Sequence, residues 1–458
     1  MSKIFKKTFC LSLAILLLLS APITYACDVS GKDDIDSNMD LPKLVEGDDS
    51  DFESVPLIEG SKNVSKLKES ADVALKEIDN VPVTAADVYA HKGYAYLGTH
   101  YLWSDSNEGV RVFDLSDPEN PEEISVFAND MPGTWTEKVI VKSVNTPHFK
   151  GDLAAVSVQR FNNEAERVGT ILYDVTDPLN PEKLGFWELP YGKRGNGTHE
   201  LYLTTQGNQV LLLTANSGAY RSTGGEIHDF VIVDVSDPAN PKELYQFNPS
   251  EAVDHENYRF TDEHGVERYA TAHSVIADTT GNYAYVSFWD LGTVILDISD
   301  PENTIYLGRT SYEPNVQGAA HSSALAKGGT ILIETREVFN PNRDGYEAGW
   351  GYTRIYDIKD KSNPVLLSSF RTSNSITQGH GFPGWTVHDP KVRGNTLYLS
   401  HYFDGVRVVD ITDPANPNEI GSYVRHNANV WGVFVDRNYV LVSDLWNGLQ
   451  VLQNNAKD

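Results

Sequence analysis

Residues 230–244 read FVIVDVSDPANPKEL, and this stretch decides the architecture. A run of β-branched residues ends at Asp234. A turn built on Asp237-Pro238 and Asn240-Pro241 follows, and a second apolar-alternating run begins at Lys242. Pro and Asn set turn geometry, and Asp accepts backbone N–H groups there, so the stretch reads as two antiparallel strands joined by a tight connection. Working outward, the same pattern recurs as GVRVFDLSDPENPEEI from Gly109, GTILYDVTDPLNPEKL from Gly169 and TVILDISDPENTIYL from Thr293. Two further copies are TRIYDIKDKSNPVLL from Thr353 and GVRVVDITDPANPNEI from Gly405. The strand-ending aspartates Asp114, Asp174, Asp234, Asp297, Asp357 and Asp410 are spaced 53 to 63 residues apart. A truncated seventh copy, GLQVLQ, ends at Gln453.

Two more strand-like runs precede each copy, for example HSVIAD then YAYVSFW from His273 to Trp289, and WGVFVD then YVLVSDL from Trp431 to Leu445. Four strands repeated seven times predict an all-β chain, a seven-bladed β-propeller with four antiparallel strands per blade. The seventh blade lacks its outer strand before the C-terminus. An N-terminal strand is expected to close it, and Asn63–Leu67, within 63–70, aligns with the outer-strand segment Asn240–Leu244. Such pairing removes an open sheet edge.

The segments FVIVDVSDPANPKEL and GVRVVDITDPANPNEI, with the tract ADVYAHKGYAYLG from Ala86 to Gly98, resemble the LVIVD-repeat family of exported β-propellers over residues 63–453. The resemblance implies the architecture and a place at the cell surface, but no particular reaction. Departures are Lys361 for the turn Pro, Thr304 for the second Pro and Gln453 for the last strand-ending Asp. They weaken single turns and leave the fold reading intact.

The flanking sequence concerns address. Lys3, Lys6 and Lys7 precede an apolar run from Phe9 to Leu19, and Thr24-Tyr25-Ala26 offers a cleavage site, so residues 1–26 read as a signal peptide. An extracytoplasmic location follows, either secreted or anchored in the envelope. Cys27 would open the mature chain; either it carries a lipid anchor or ordinary cleavage leaves it there. Cys10 leaves with the signal, so no intramolecular disulfide can form. Residues 27–55 carry ten acids and two lysines and read as a disordered acidic tether, which places the propeller at 56–458. The whole chain, 458 residues with a net charge of -27, repels phosphate, which excludes nucleic acid as a partner and favours cations.

Loop lengths locate the working face. The turns between second-last and last strands are nearly constant, whereas Ala215–Asp229, Asn248–Thr271, Glu337–Tyr352 and Thr372–Trp385 are long, and all four fall on one face. On that face four consecutive blades open with His199, His273, His321 and His388. With His401 and Glu334 they form a candidate ligand set for a divalent transition metal. Alternatively, each histidine bonds a backbone carbonyl of the next blade and is structural. Trp289, Asp290, Arg160, Arg336 and Trp431 are candidate ligand-binding residues on the same face, and His100 also lies there. No GxSxG, Walker or dinucleotide motif is present, so nucleophilic catalysis lacks a candidate. Two functions stay open: an envelope binding or scaffold module holding a protein, peptide or glycan, and a metal-dependent enzyme centred on the histidines.

Overall fold

The structure is a computed structural model. It describes residues 85–454 except 101–107, 190–196, 263–264, 266, 312–318, 338–350, 373 and 376–384, together with two short N-terminal strands. The signal peptide, the acidic tether, the segment 63–70 and the aromatics Tyr101, Trp103 and Trp350 lie outside the described residues.

Seven antiparallel sheets follow one another in chain order. Blade 1 comprises Ala85–His91, Tyr94–Thr99, Val110–Asp114 and Glu122–Phe127; we name such strands a to d. Blade 2 has Val139–Asn145, Lys150–Arg160, Gly169–Asp174 and Glu182–Glu188, and Thr134–Trp135 extends its strand a side. Blade 3 runs Glu200–Gln206, Gln209–Ala215, Phe230–Asp234 and Lys242–Phe247, and blade 4 runs Ala272–Ala277, Tyr283–Phe288, Gly292–Asp297 and Ile305–Arg309. Blade 5 has Ala319–Ala326, Ile331–Glu337, Thr353–Asp357 and Val365–Arg371, and blade 6 has Pro390–Arg393, Thr396–Ser400, Val406–Asp410 and Asn418–Tyr423. Blade 7 supplies Val430–Asp436, Tyr439–Asp444 and Gly448–Asn454.

Its fourth strand is N-terminal, as expected, but the segment differs. Val73–Lys76 pairs antiparallel with Gly448–Asn454, Val73 opposite Asn454. A second N-terminal strand, Leu57–Glu59, runs parallel to the outer strand of blade 5, a pairing for which the repeat pattern holds no counterpart. Among the described residues no helix is long and apolar enough to cross a membrane.

The turn residues do what their chemistry suggests. Asp234 Oδ1 accepts the Ser236 N–H at 2.8 Å, and Asp237 accepts the Ala239 N–H at 3.2 Å and the Asn240 side-chain amide at 2.9 Å. The arrangement repeats at Asp114 and Asp117, and at Asp410 and Asp413. Blade 5 keeps it despite Lys361, because Asp360 still accepts the Ser362 N–H at 3.0 Å. Proline only narrows the unfolded ensemble here; the aspartate makes the turn.

Packing runs blade against blade. One buried cluster joins Leu213, Phe230 and Ile232 of blade 3 to Val275, Val286 and Leu296 of blade 4, and similar clusters fill the other interfaces. At the periphery, strand d of one blade meets the turn of the next. Ser125 donates to the Pro178 carbonyl at 2.6 Å and Ser368 to the Pro414 carbonyl at 2.7 Å. Where glycine replaces serine, the backbones close in: a Cβ on Gly185 would stand 2.0 Å from the Pro238 carbonyl oxygen.

Candidate functional site

Strand a begins with a bulge in blades 1, 4, 5 and 7, and there its first residues turn toward the propeller axis. Equivalent positions are fixed by a repeated bond: the N–H groups of Lys138, Asp389 and Gly432 donate to Ser157, Ser400 and Ser443 of strand b at 2.8, 2.8 and 2.9 Å. The residues just before them are therefore structural equivalents. In chain order the column reads Ala86, Glu137, His199, His273, His321, His388 and Trp431. Sequence reasoning found the four histidines and Trp431 but missed Glu137. A signal was present, since Glu137 precedes the first apolar strand residue by two positions, as His199 does.

These side chains meet around the axis. Ring centroids are 4.4 Å apart for His199–His273, 4.0 Å for His273–His321, 4.2 Å for His321–His388 and 4.3 Å for His388–Trp431. His100, Trp135 and the 6.3 Å contact of Trp135 with His199 complete the circuit. The ends of strand b form a layer beside them: Trp289 lies 5.1 Å from His273, Tyr402 lies 5.2 Å from His388, and Glu337 Oε2 is 3.4 Å from His321 Nε2. The ring does not stand in an open mouth; the four histidines, Glu137, Glu337 and Trp431 are each at most 3% exposed.

Hydrogen bonds orient the imidazoles. His199 Nδ1 lies 2.8 Å from Glu137 Oε2 and 2.9 Å from Gln159 Oε1, and its Nε2 lies 3.0 Å from His273 Nε2. His321 Nδ1 donates to the His388 carbonyl at 3.0 Å. His273 and His388 lie against the backbone of His321 and Trp431 without reaching full hydrogen-bond geometry. The blade-to-blade carbonyl contact expected of structural histidines is thus present at His321, and it leaves His321 Nε2 with a lone pair directed inward. Tyr402 donates its hydroxyl to Glu337 Oε1.

Burial sets most protonation states. Burial, then the neighbouring imidazoles of His321 and His199, holds His273 well below the ordinary histidine range. Burial acts the same way on His321 and on His388, reinforced by His388 and by His273 respectively. His199 differs: burial opposes its charge, but the Glu137 carboxylate outweighs burial and raises it, while Glu137 itself is lowered. Burial pushes Glu337 up to about 8 against the Tyr402 hydrogen bond and the His199 charge. One residue further along strand a, a buried ionic layer links Lys138 Nζ to Asp87 at 2.7 Å and to Glu200 at 3.0 Å. Burial raises Glu200 to about 7 despite Lys138.

Other candidates sit elsewhere. Glu334 does not face the axis; its carboxylate accepts from Thr293 Oγ1 at 2.7 Å, Thr310 Oγ1 at 2.5 Å and Arg336 Nε at 2.7 Å, tying blade 4 to blade 5. Arg336 is consumed by that pair and by the Ser311 carbonyl, and is fully buried rather than offered to a ligand. His401 has no ring contact with the column and lies within the field of Arg407. Arg160 bonds its own loop at the Asn162 carbonyl and Asn163 Oδ1, and Asp290 accepts the Tyr269 N–H at 3.0 Å. The strand b carboxylate that joins the histidines is Glu337, three residues after the expected Glu334. His273, His321 and Glu337 each offer a ligand atom within 4.8 Å of the others.

Above the axis, the loop-bearing face carries an aromatic group. Trp385 and Phe403 lie 5.5 Å apart edge to face, and Phe403 and Trp446 lie 5.4 Å apart. Trp446 is 40% exposed.

Comparisons agree with the architecture. The LVIVD repeat family model matches residues 224–248, 274–310 and 386–424. Among curated protein sequences none matches the chain. The chain resembles the solved structure of an ancestral GH74 enzyme with a TM-score of 0.55 at 10% identity, covering 83% of this chain and 49% of that one. It also resembles Chaetomium thermophilum Raptor, with a TM-score of 0.53 at 11% identity, covering 85% of this chain and 30% of that one. The chain spans about half and under a third of those proteins respectively, and at such identity the likeness concerns the fold.

Proposed function

We propose that this LVIVD-repeat β-propeller acts outside the cytoplasm as a binding module of the cell envelope, holding a glycan over the face that carries its long loops. The observation that supports the reading best is the Trp385–Phe403–Trp446 group, drawn from loops of blades 6 and 7 and leaving Trp446 open to solvent. Aromatic faces stack on the apolar faces of sugar rings, and an exposed tryptophan on a rigid scaffold loses little entropy on doing so. The variable loops of the sequence fall on this same face, where binding residues collect. Export rests on the basic residues Lys3, Lys6 and Lys7 followed by the apolar run Phe9–Leu19, and retention at the surface on a lipid at Cys27.

Sedimentation with insoluble cell-wall polysaccharide tests the reading. The purified chain should co-sediment, and Trp446→Ala should weaken binding by about 10-fold, the worth of one aromatic stacking contact. No co-sedimentation, or binding indifferent to Trp446→Ala, would remove the glycan reading.

A further inference from the structure

We propose that the propeller axis is a binding site for a divalent first-row transition metal of the zinc class, held by His273, His321 and Glu337, with His199 adjoining His273. The site is independent of any glycan on the loop face.

The argument begins with geometry. Zinc bonds to nitrogen and oxygen of about 2.0–2.2 Å imply ligand-to-ligand edges of about 3.3 Å in a tetrahedron. One edge among the ligands already has that size, since His321 Nε2 lies 3.4 Å from Glu337 Oε2. His273, His321 and Glu337 each place a donor atom within 4.8 Å of the others. Three donors from blades 4 and 5 therefore approach a common point, and His199 adjoins it through His273, Nε2 to Nε2 at 3.0 Å.

Polar atoms at this point want a partner. Glu337 Oε2 accepts no hydrogen bond although it is fully buried, and neither ring nitrogen of the adjacent His388 has one. Orphaned buried polar atoms are costly, and a cation is the ligand that would satisfy a carboxylate and several imidazole lone pairs together.

The outer partners are those that ligating side chains carry. His321 donates its other ring N–H to the His388 carbonyl, which fixes the tautomer with Nε2 inward. His199 directs Nδ1 to Glu137 and Gln159, a carboxylate–histidine arrangement that turns its Nε2 toward His273. Tyr402 holds the other oxygen of Glu337, so that carboxylate is oriented rather than free to swing. The donor set of nitrogen with one carboxylate oxygen suits zinc, copper, nickel or iron and not calcium or magnesium, which prefer all-oxygen cages.

Zinc titration by calorimetry tests the site, with zinc ion alone as the probe. The purified chain should bind one zinc per molecule, and a 100-fold excess of zinc over Kd should raise Tm by about 3 °C through mass action. Glu337→Gln keeps the volume and the Tyr402 contact, so it should stay folded while losing at least about 100-fold in affinity. His321→Ala should lose as much, and because it also removes a blade-to-blade hydrogen bond its folding is checked by circular dichroism. His148→Ala, an exposed histidine beside Asp237, should bind as the wild type does. Absence of saturable zinc binding, or binding to Glu337→Gln as tight as wild type, overturns the proposal. Either result leaves the polysaccharide assay unaffected.

Discussion

Replacing Glu334 by Gln separates scaffold from site. The Glu334 carboxylate is fully buried between blades 4 and 5, with Arg336 Nε on one oxygen at 2.7 Å. Its other oxygen receives Thr293 N–H at 3.1 Å, Thr293 Oγ1 at 2.7 Å and Thr310 Oγ1 at 2.5 Å. Glutamine fits the space but removes the charge that balances the Arg336 guanidinium, and its amide group must face a donor on one side or the other. Breaking one partner of a buried ion pair costs about 3–5 kcal/mol, because the remaining charge is left uncompensated. At about 2.1 cal/mol/K per residue, a propeller of roughly 370 residues has an unfolding entropy near 0.8 kcal/mol/K, so Tm should fall by about 4–6 °C. The assay is a calorimetric melt of wild type and Glu334→Gln, with zinc titration of both. Stability should drop while zinc affinity stays as it was. A shift below about 1 °C, or lost zinc binding at an unchanged Tm, would refute the assignment of Glu334 to the blade interface.

Two further outcomes follow from the described structure. Removing residues 1–77 deletes the strand Val73–Lys76 and leaves the outer edge of Gly448–Asn454 unpaired, so Tm should fall and concentration-dependent self-association should appear in sedimentation velocity; a monomer with wild-type Tm would count against strand closure. The pH dependence has opposing parts, because the buried acids Glu337 and Glu200, raised to about 8 and about 7, gain stability as pH falls while buried neutral histidines lose it. Burial lowers His100 to about 4, despite the opposing pull of Glu137, so between about pH 6.5 and pH 4 the unfolded chain binds the extra proton and stability is lost as pH falls. His100 alone carries about 3 kcal/mol across that window, so the stability difference between wild type and His100→Asn should change by about that much from pH 7 to pH 4, and a difference that stays level would contradict it.

The repeat and the blade number were legible because turn chemistry is local. Asp237, Pro238 and Asn240 act within a few residues of one another, and each copy carries the same instruction. The histidine column was legible for the same reason, each member opening a strand six to eight residues before the glycine of the next turn. Glu337 was not, because the choice between it and Glu334 depends on which side of strand b faces the axis. That phase could have been taken from the small hydroxyl residues two positions earlier: Ser287 before Trp289, Thr335 before Glu337 and Ser400 before Tyr402 share one register. The closing strand was placed too early, at Asn63–Leu67 rather than Val73–Lys76. Resemblance to an outer strand favoured the former, but strand pairing is made by backbone groups that every residue carries, so side-chain likeness fixed neither position nor register.

The axial residues come one from each blade, and no two neighbours in the ring are close along the chain. His199 and His273 are 74 positions apart although their nitrogens touch. The full column is therefore complete only in the whole ring, and a nascent chain holds Glu137 and His199 long before His388 and Trp431 exist, although the proposed metal ligands all lie between His199 and Glu337. The strand Val73–Lys76, made first, must wait for Gly448–Asn454, made last, before the circle shuts. The column is therefore enclosed on every side only once both ends of the propeller have been delivered and joined.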